Sequence, residues 1–141
     1  MDKITPEQRH YTMSRIRGKD TKPEILVRKY LFSEGFRFRK NDKRYPGHPD
    51  IVLPKYKTVV FVNGCFWHGH EGCKYYTVPK TNTEFWVAKV RRNQERDRAD
   101  AEALEAMGWT VITVWECQLD RNSIEITLKN LVEDLKALQL R

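Results

Sequence analysis

The sequence predicts a single α/β domain built on one mixed β-sheet, and three stretches carry that prediction. Residues 50–53 and 58–62 contain the apolar runs Ile51-Val52-Leu53 and Val59-Val60-Phe61-Val62, with the turn Pro54-Lys55-Tyr56-Lys57 between them. Short β-branched runs bounded by turn formers read as a buried hairpin. Residues 109–115, Trp-Thr-Val-Ile-Thr-Val-Trp, read as a later strand. The segments around these have helical spacing. The expected order is two helices, three strands, a helix, a strand and a helix, with helices covering the sheet.

From the N-terminus, Thr5-Pro6-Glu7-Gln8 is a capping-box start and Gly18 a natural stop. The segment between is basic (Arg9, His10, Arg15, Arg17) and poor in apolar residues. It is either a solvated surface helix or, over residues 1–20, an arm that lies along phosphates. Thr21-x-x-Glu24 opens a stronger helix, with Val27/Leu31 and Leu26/Tyr30 spaced for one face and Gly35 at its end. A first-turn carboxylate such as Glu24 is ordinarily explained by capping and the helix dipole. Phe36-Arg37-Phe38-Arg39 alternates as a strand. Thr81-x-x-Glu84 starts a long charged helix over residues 83–107, with Trp86, Val90, Asn93, Asp97, Ala101 and Leu104 along one stripe. Trp109 and Trp115 point to one face of the following strand and are expected in the core. Asn122 or Ser123 caps a last helix that aligns Ile124, Leu128, Leu131, Leu135 and Leu138.

The chain has 141 residues, enough for one domain with a real core, and 26 Lys+Arg give it a net charge of +7. That balance points to a polyanionic partner. Three cysteines do not pair off, no signal peptide is recognisable, and no apolar run approaches membrane-spanning length. A cytoplasmic protein with reduced thiols is expected. Cys65-x4-His70-x2-Cys73 with Cys117 supplies three sulfurs and an imidazole, a full tetrahedral set for a closed structural zinc site. The alternative is three buried free thiols and a surface histidine.

The hairpin carries the other chemistry. Tyr45-Pro46-Gly47-His48-Pro49-Asp50 is a loop whose prolines fix the approach to Asp50. Pairing of the two strands brings Asp50 beside the Val62-Asn63 end. Pro-Asp ahead of an apolar strand is turn chemistry, or the skeleton of a magnesium-dependent nuclease site, where a carboxylate and a backbone carbonyl suffice beside a phosphate. His68 follows closely, either a loop histidine or a catalytic one. Phe66 and Trp67 cannot both face inward from an extended chain, so one of them is a candidate wedge between base steps. Trp86 reads equally as core or as DNA contact.

The blocks Pro-Gly-His-Pro-Asp50, Phe61-Val-Asn-Gly-Cys-Phe-Trp-His68, Thr83-Glu-Phe-Trp86, Asn93-x-x-Arg-Asp97 and Gly108-Trp-x-Val-x-x-Val-Trp-Glu-Cys117 resemble the very short patch repair (Vsr) endonucleases. The resemblance runs from Arg15 to about Leu119. It implies a restriction-endonuclease-like fold over residues 21–141 and an enzyme that nicks duplex DNA 5′ of the thymine in a T·G mismatch, the product of 5-methylcytosine deamination. By that likeness Asp50 and the Val62 carbonyl match the Mg²⁺ ligands, and His68 matches a histidine that activates water. Glu24 matches a further acidic residue of the site. Cys65, His70, Cys73 and Cys117 match structural Zn²⁺ ligands, Phe66, Trp67 and Trp86 match intercalating aromatics, and residues 1–20 match a DNA-gripping arm. The chain departs from a family member in having Asn63 in place of a histidine and one more residue between His70 and Cys73. Mismatch-repair proteins are possible partners, and a monomer is expected. The rival functions are a restriction-type enzyme cutting both strands and a zinc-stabilised DNA-binding module without catalysis.

Overall fold

A computed structural model describes residues 21–139, so the expected arm over residues 1–20 lies outside the described residues. Helix α1 (Lys22–Ser33) starts where Thr21 is extended, with its hydroxyl accepting the Glu24 N–H in a long 3.5 Å bond. It ends at Gly35, where φ is +90°, and the Phe36 N–H closes the last turn on the Leu31 carbonyl at 3.0 Å. Val27 and Leu31 form its buried face as expected, but Leu26 is exposed. The capping explanation of Glu24 is incomplete, because its side chain is also buried.

The expected strand over residues 36–39 is shorter than its alternation suggests. Phe36 is committed to closing α1, and the Arg37 guanidinium lies 4.1 Å from the Phe32 ring centroid. Pairing begins only with β1 (Arg39–Lys40), opposite Val52 and Ile51 of β2 (Ile51–Leu53). One 3₁₀ turn and Lys57 in the left-handed region lead into β3 (Thr58–Asn63). The β2–β3 pair is the expected antiparallel hairpin, with Ile51 opposite Val60. Helix α2 (Thr83–Ala106) then crosses over, and β4 (Thr110–Trp115) lies parallel to β3 with Asn63 opposite Trp115. The sheet has the order β1-β2-β3-β4 and is mixed, as predicted.

Period-2 alternation along the strands feeds two cores. On one face Ile51, Leu53, Val60 and Val62 pack with Val27 and Leu31 of α1 and with Leu128, Leu131, Val132 and Leu135 of α3 (Ile124–Gln139). On the other, Val52 and Val59 pack under Leu104 of α2, with Tyr45, Phe61, Trp109 and Val111 around them. A fully buried Leu such as Leu104 or Leu135 contributes about 1.5–3 kcal/mol relative to exposure. The result is one α/β domain of the restriction-endonuclease-like kind, with helices on both faces of the sheet. Among the described residues no helix is long and apolar enough to cross a membrane.

Two local expectations need correction, those for Thr81 and Trp115, and one gains a partner. Thr81 does not cap α2: the N-cap is Asn82 in the left-handed region (φ +55°), and the Thr83 hydroxyl donates to the Pro79 carbonyl at 2.8 Å. Ser123 stands at the cap position of α3, its carbonyl accepting the Thr127 N–H at 3.0 Å, and Asp120 holds the approach, its Oδ1 accepting the Asn122 and Ser123 N–H groups at 3.1 and 2.9 Å. The two tryptophans part company. Trp109 packs against Tyr45 (centroids 5.0 Å apart), whereas Trp115 leaves the core and stacks on His70.

Candidate active site and metal centre

The C-terminal end of β3 opens into a cleft of about 600 Å³ that gathers Glu24, Asp50, Val62, Asn63, His68 and Asp97. Asp50 stands one residue before β2, and its Oδ2 accepts the Val62 N–H at 2.6 Å. The carboxylate is thus fixed against the strand end the hairpin was expected to bring beside it. Glu24 reaches the same cleft from α1, steadied by Arg28 one turn on (Nη1–Oε2 3.6 Å). Burial pushes the Asp50 carboxyl up to about 7, against the Val62 N–H that lowers it, and the charge of Glu24 raises it further. Two carboxylates held this close call for a proton or a cation between them. The donor set therefore fits a hard divalent ion, which takes oxygen ligands.

His68 is fixed by helix α2. Its Nδ1 lies 2.5 Å from Asp97 Oδ2, which leaves Nε2 for the cleft. The same helix holds the flanking main chain: Asn93 Nδ2 donates to the Trp67 carbonyl at 2.8 Å and Gln94 Nε2 to the Gly69 carbonyl at 2.9 Å. Gly47 shows why the loop before Asp50 needs glycine. Its φ is +77°, and a Cβ there would sit 3.0 Å from Asp100 Oδ2 and 3.1 Å from the Phe61 ring.

Cys65, His70, Cys73 and Cys117 come together as the spacing suggested, with their ligand atoms all within 4.8 Å of one another. A tetrahedron of Zn–S bonds near 2.3 Å separates its corners by about 3.8 Å, so small side-chain adjustments complete it. Burial pushes the Cys65 thiol up to about 12, so a cation is needed to hold it as thiolate. The cluster fits a soft metal with no open position. His70 is braced by Trp115, with ring centroids 4.0 Å apart and planes within 4°.

Phe66, Trp67 and Trp86 form one half-exposed aromatic cluster beside the cleft. Phe66 lies 5.3 Å from Trp67 and 5.6 Å from Trp86, and the two indoles are 5.9 Å apart. Phe85, 55 % exposed, extends the cluster from the first turn of α2.

Comparison with known proteins now bears on the site. A sequence profile described as DNA mismatch endonuclease Vsr matches residues 1–75. The chain belongs to the Vsr family of DNA mismatch endonucleases. Its relatives include the type II nicking enzyme V.NmeAIP of Neisseria meningitidis, 53 % identical over 136 residues, 96 % of each chain. The DNA mismatch endonuclease Vsr of Escherichia coli is 42 % identical over 135 residues, 96 % of this chain and 83 % of that protein. A type II nicking enzyme of Xanthomonas oryzae, V.XorIIP, is 45 % identical over 133 residues, 94 % of this chain and 97 % of its own. In this Vsr-family chain every site residue expected from sequence falls in the cleft, the metal cluster or the adjoining aromatic cluster. Sequence reasoning assigned no role to Asp97, Asn93 or Gln94. The signal was present, since Asn93 and Asp97 shared the inward stripe of α2 with Val90 and Leu104 and so were not placed to serve only as solvated surface groups.

Proposed function

We propose that the protein is a Mg²⁺-dependent endonuclease that nicks one strand of duplex DNA 5′ of the thymine in T·G mismatches left by 5-methylcytosine deamination. The observation that carries this reading is the placement of Asp50, locked onto Val62, in one cleft with the His68–Asp97 pair. Asp50 and the Val62 carbonyl, with Glu24 beside them, would hold the cation. When bound, Mg²⁺ supplies charge stabilisation for the phosphoryl group and its leaving oxygen. His68 Nε2 takes a proton from the attacking water, while Asp97 holds Nδ1–H and keeps the ring oriented. Cys65, His70, Cys73 and Cys117 form a structural Zn²⁺ site, because four protein ligands leave no position for water. Residues 1–20 grip the DNA, and the protein works in the cytoplasm as a monomer, with mismatch-repair proteins as possible partners.

Among the described residues the cleft holding Asp50 and His68 occurs once, which supports nicking over double-strand cutting. The deciding experiment incubates T·G and fully paired duplexes with the protein in Mg²⁺ and in EDTA. The expected outcome is one nick, in the thymine strand, with Mg²⁺ only. Cutting of both strands would make it a restriction-type enzyme. Binding without cutting would make it a zinc-stabilised DNA-binding module.

Selectivity is assigned to the aromatic cluster. Inserting a ring between base steps costs least where pairing is already poor, so a wedge favours a wobble pair without reading every base edge. Trp67 directly precedes His68, and its carbonyl is tied to Asn93, so a wedge there also sets which phosphate meets the cleft. Trp67→Ala is expected to lower nicking at T·G by about tenfold or more, the scale of single stacking contacts. Salt-dependent binding to ordinary duplex should persist. Equal loss of affinity for T·G and T·A duplexes at fixed salt would make Trp67 a packing residue only.

A further inference from the structure

Asn63 is the last residue of β3 and is only 8 % exposed. Its backbone is paired with Trp115, but among the described residues its side-chain amide has no hydrogen-bond partner. The residue is more than nine-tenths buried, yet its amide atoms are not enclosed, so its donors and acceptor open on the cleft and are free for a partner that arrives later. What Asn63 faces says which. A second cavity of about 370 Å³ lies toward the metal cluster, and Asn63, His68, Asp97 and Thr113 line both it and the catalytic cleft. The amide therefore stands on the partition between the two, where incoming substrate reaches it.

Strand geometry fixes its place relative to the reacting atoms. Alternation puts Asn63 on the α2 side of β3 with Phe61, the side from which His68 and Asp97 approach. Its neighbour Val62 is the residue clamped by Asp50. A phosphate seated between Asp50 and His68 thus has Asn63 against it. An amide does not titrate and takes no proton from water. Its Nδ2 is a fixed donor at every working pH, suited to an oxygen on which negative charge builds.

We propose that Asn63 is a catalytic residue whose Nδ2 donates a hydrogen bond to a non-bridging oxygen of the scissile phosphate. The donor strengthens as the attacking water bonds to phosphorus and the bond to the leaving oxygen breaks, and the proton released goes to His68. This rests on the nuclease reading above and adds a residue to it. The residue acts on the substrate and not through either metal site.

The test compares wild type with Asn63→Ala on T·G duplexes whose scissile phosphate is normal or carries sulfur at either non-bridging position. Asn63→Ala is expected to lose about 10²–10³-fold in kcat, as for other single donors to a developing oxyanion, with KM nearly unchanged. Its affinity for the duplex in EDTA and its melting curve should match wild type. Sulfur at one of the two positions should slow the wild type and add nothing to the loss in Asn63→Ala, which a merely structural role would not produce. If Asn63→Ala fails to fold, the isosteric Asn63→Asp, which replaces the donor by an acceptor, must lose at least as much. A loss smaller than about tenfold, or equal sulfur effects in both proteins, overturns the proposal. A wild-type protein inert on every duplex overturns instead the nuclease reading on which it rests.

Discussion

Asp50→Asn is expected to extinguish the proposed nicking, a loss of about 10³-fold or more, and to raise the melting temperature of the metal-free protein at pH 8. The first effect would follow from removing the charge proposed to hold the cation while leaving the shape intact, since asparagine can still accept the Val62 N–H. The second follows from linkage. The carboxyl titrates near 3.9 in an unfolded chain, whereas burial and the neighbouring Glu24 hold it at about 7 in the fold. A folded-state pKa above the unfolded one favours the fold below the unfolded value, and that advantage is lost as pH rises through the folded value. Metal-free wild type therefore loses stability between about pH 4 and pH 7, while the neutral amide does not. Added Mg²⁺ should restore the wild type at pH 8 and leave the variant unmoved. Thermal melts in EDTA at pH 5 and pH 8, with and without Mg²⁺, test this. A variant that melts lower than wild type at pH 8, or that still nicks, would place the cation elsewhere. The expected outcome would mean that function is retained at a cost in stability, as is common where like charges are gathered for catalysis.

Cys117→Ala is expected to abolish the proposed zinc binding and lower the melting temperature by roughly 10 °C or more, since losing about 3 kcal/mol shifts a domain of this size by that much. Cys117 follows β4, while the other three candidate ligands lie in the loop after β3, so a metal held by the four would clip together the ends of two parallel strands. The Cys117 N–H also donates to Cys65 Sγ at 3.4 Å, a second tie that alanine leaves without its metal-fixed partner. His68 sits between Cys65 and His70 on the same loop, so nicking should fall even below the new melting point. Metal analysis and melting curves on the same preparation decide the matter. A wild type without zinc, or a zinc-free variant with an unchanged melting curve, would return the four residues to ordinary packing.

The fold was legible where side-chain pattern alone decides structure. The alternation of β2 and β3 and the leucine face of α3 led directly to the two cores, and the Cys/His spacing led to the metal cluster. The failures lie where a tertiary partner overrides a local signal. Phe36 has strand chemistry, yet its N–H is needed to close α1. Thr81 has the spacing of a capping box, yet Asn82 occupies the cap because its left-handed backbone turns the chain into α2. Trp115 has the periodicity of a core residue, but a flat imidazole waits beyond the strand end. In the site, Asp50 was readable because proline and strand chemistry surround it. Asp97 was hidden among the many charges of α2, and only the fold shows that it faces a histidine 29 residues earlier.

The hydrogen bonds that Asn93 and Gln94 donate to residues 67 and 69, and the one that Asp97 accepts from His68, make the helix face and the loop one inheritable unit. Transplanting residues 64–73 alone from a relative with a different target would bring new aromatics onto a helix shaped for the old ones, with the histidine adrift. Moved together with residues 86–97, the same loop would arrive with its own supports. Lineages that diversify this enzyme should therefore exchange or co-vary the two segments as a block, although ten or more residues of chain separate them in the gene.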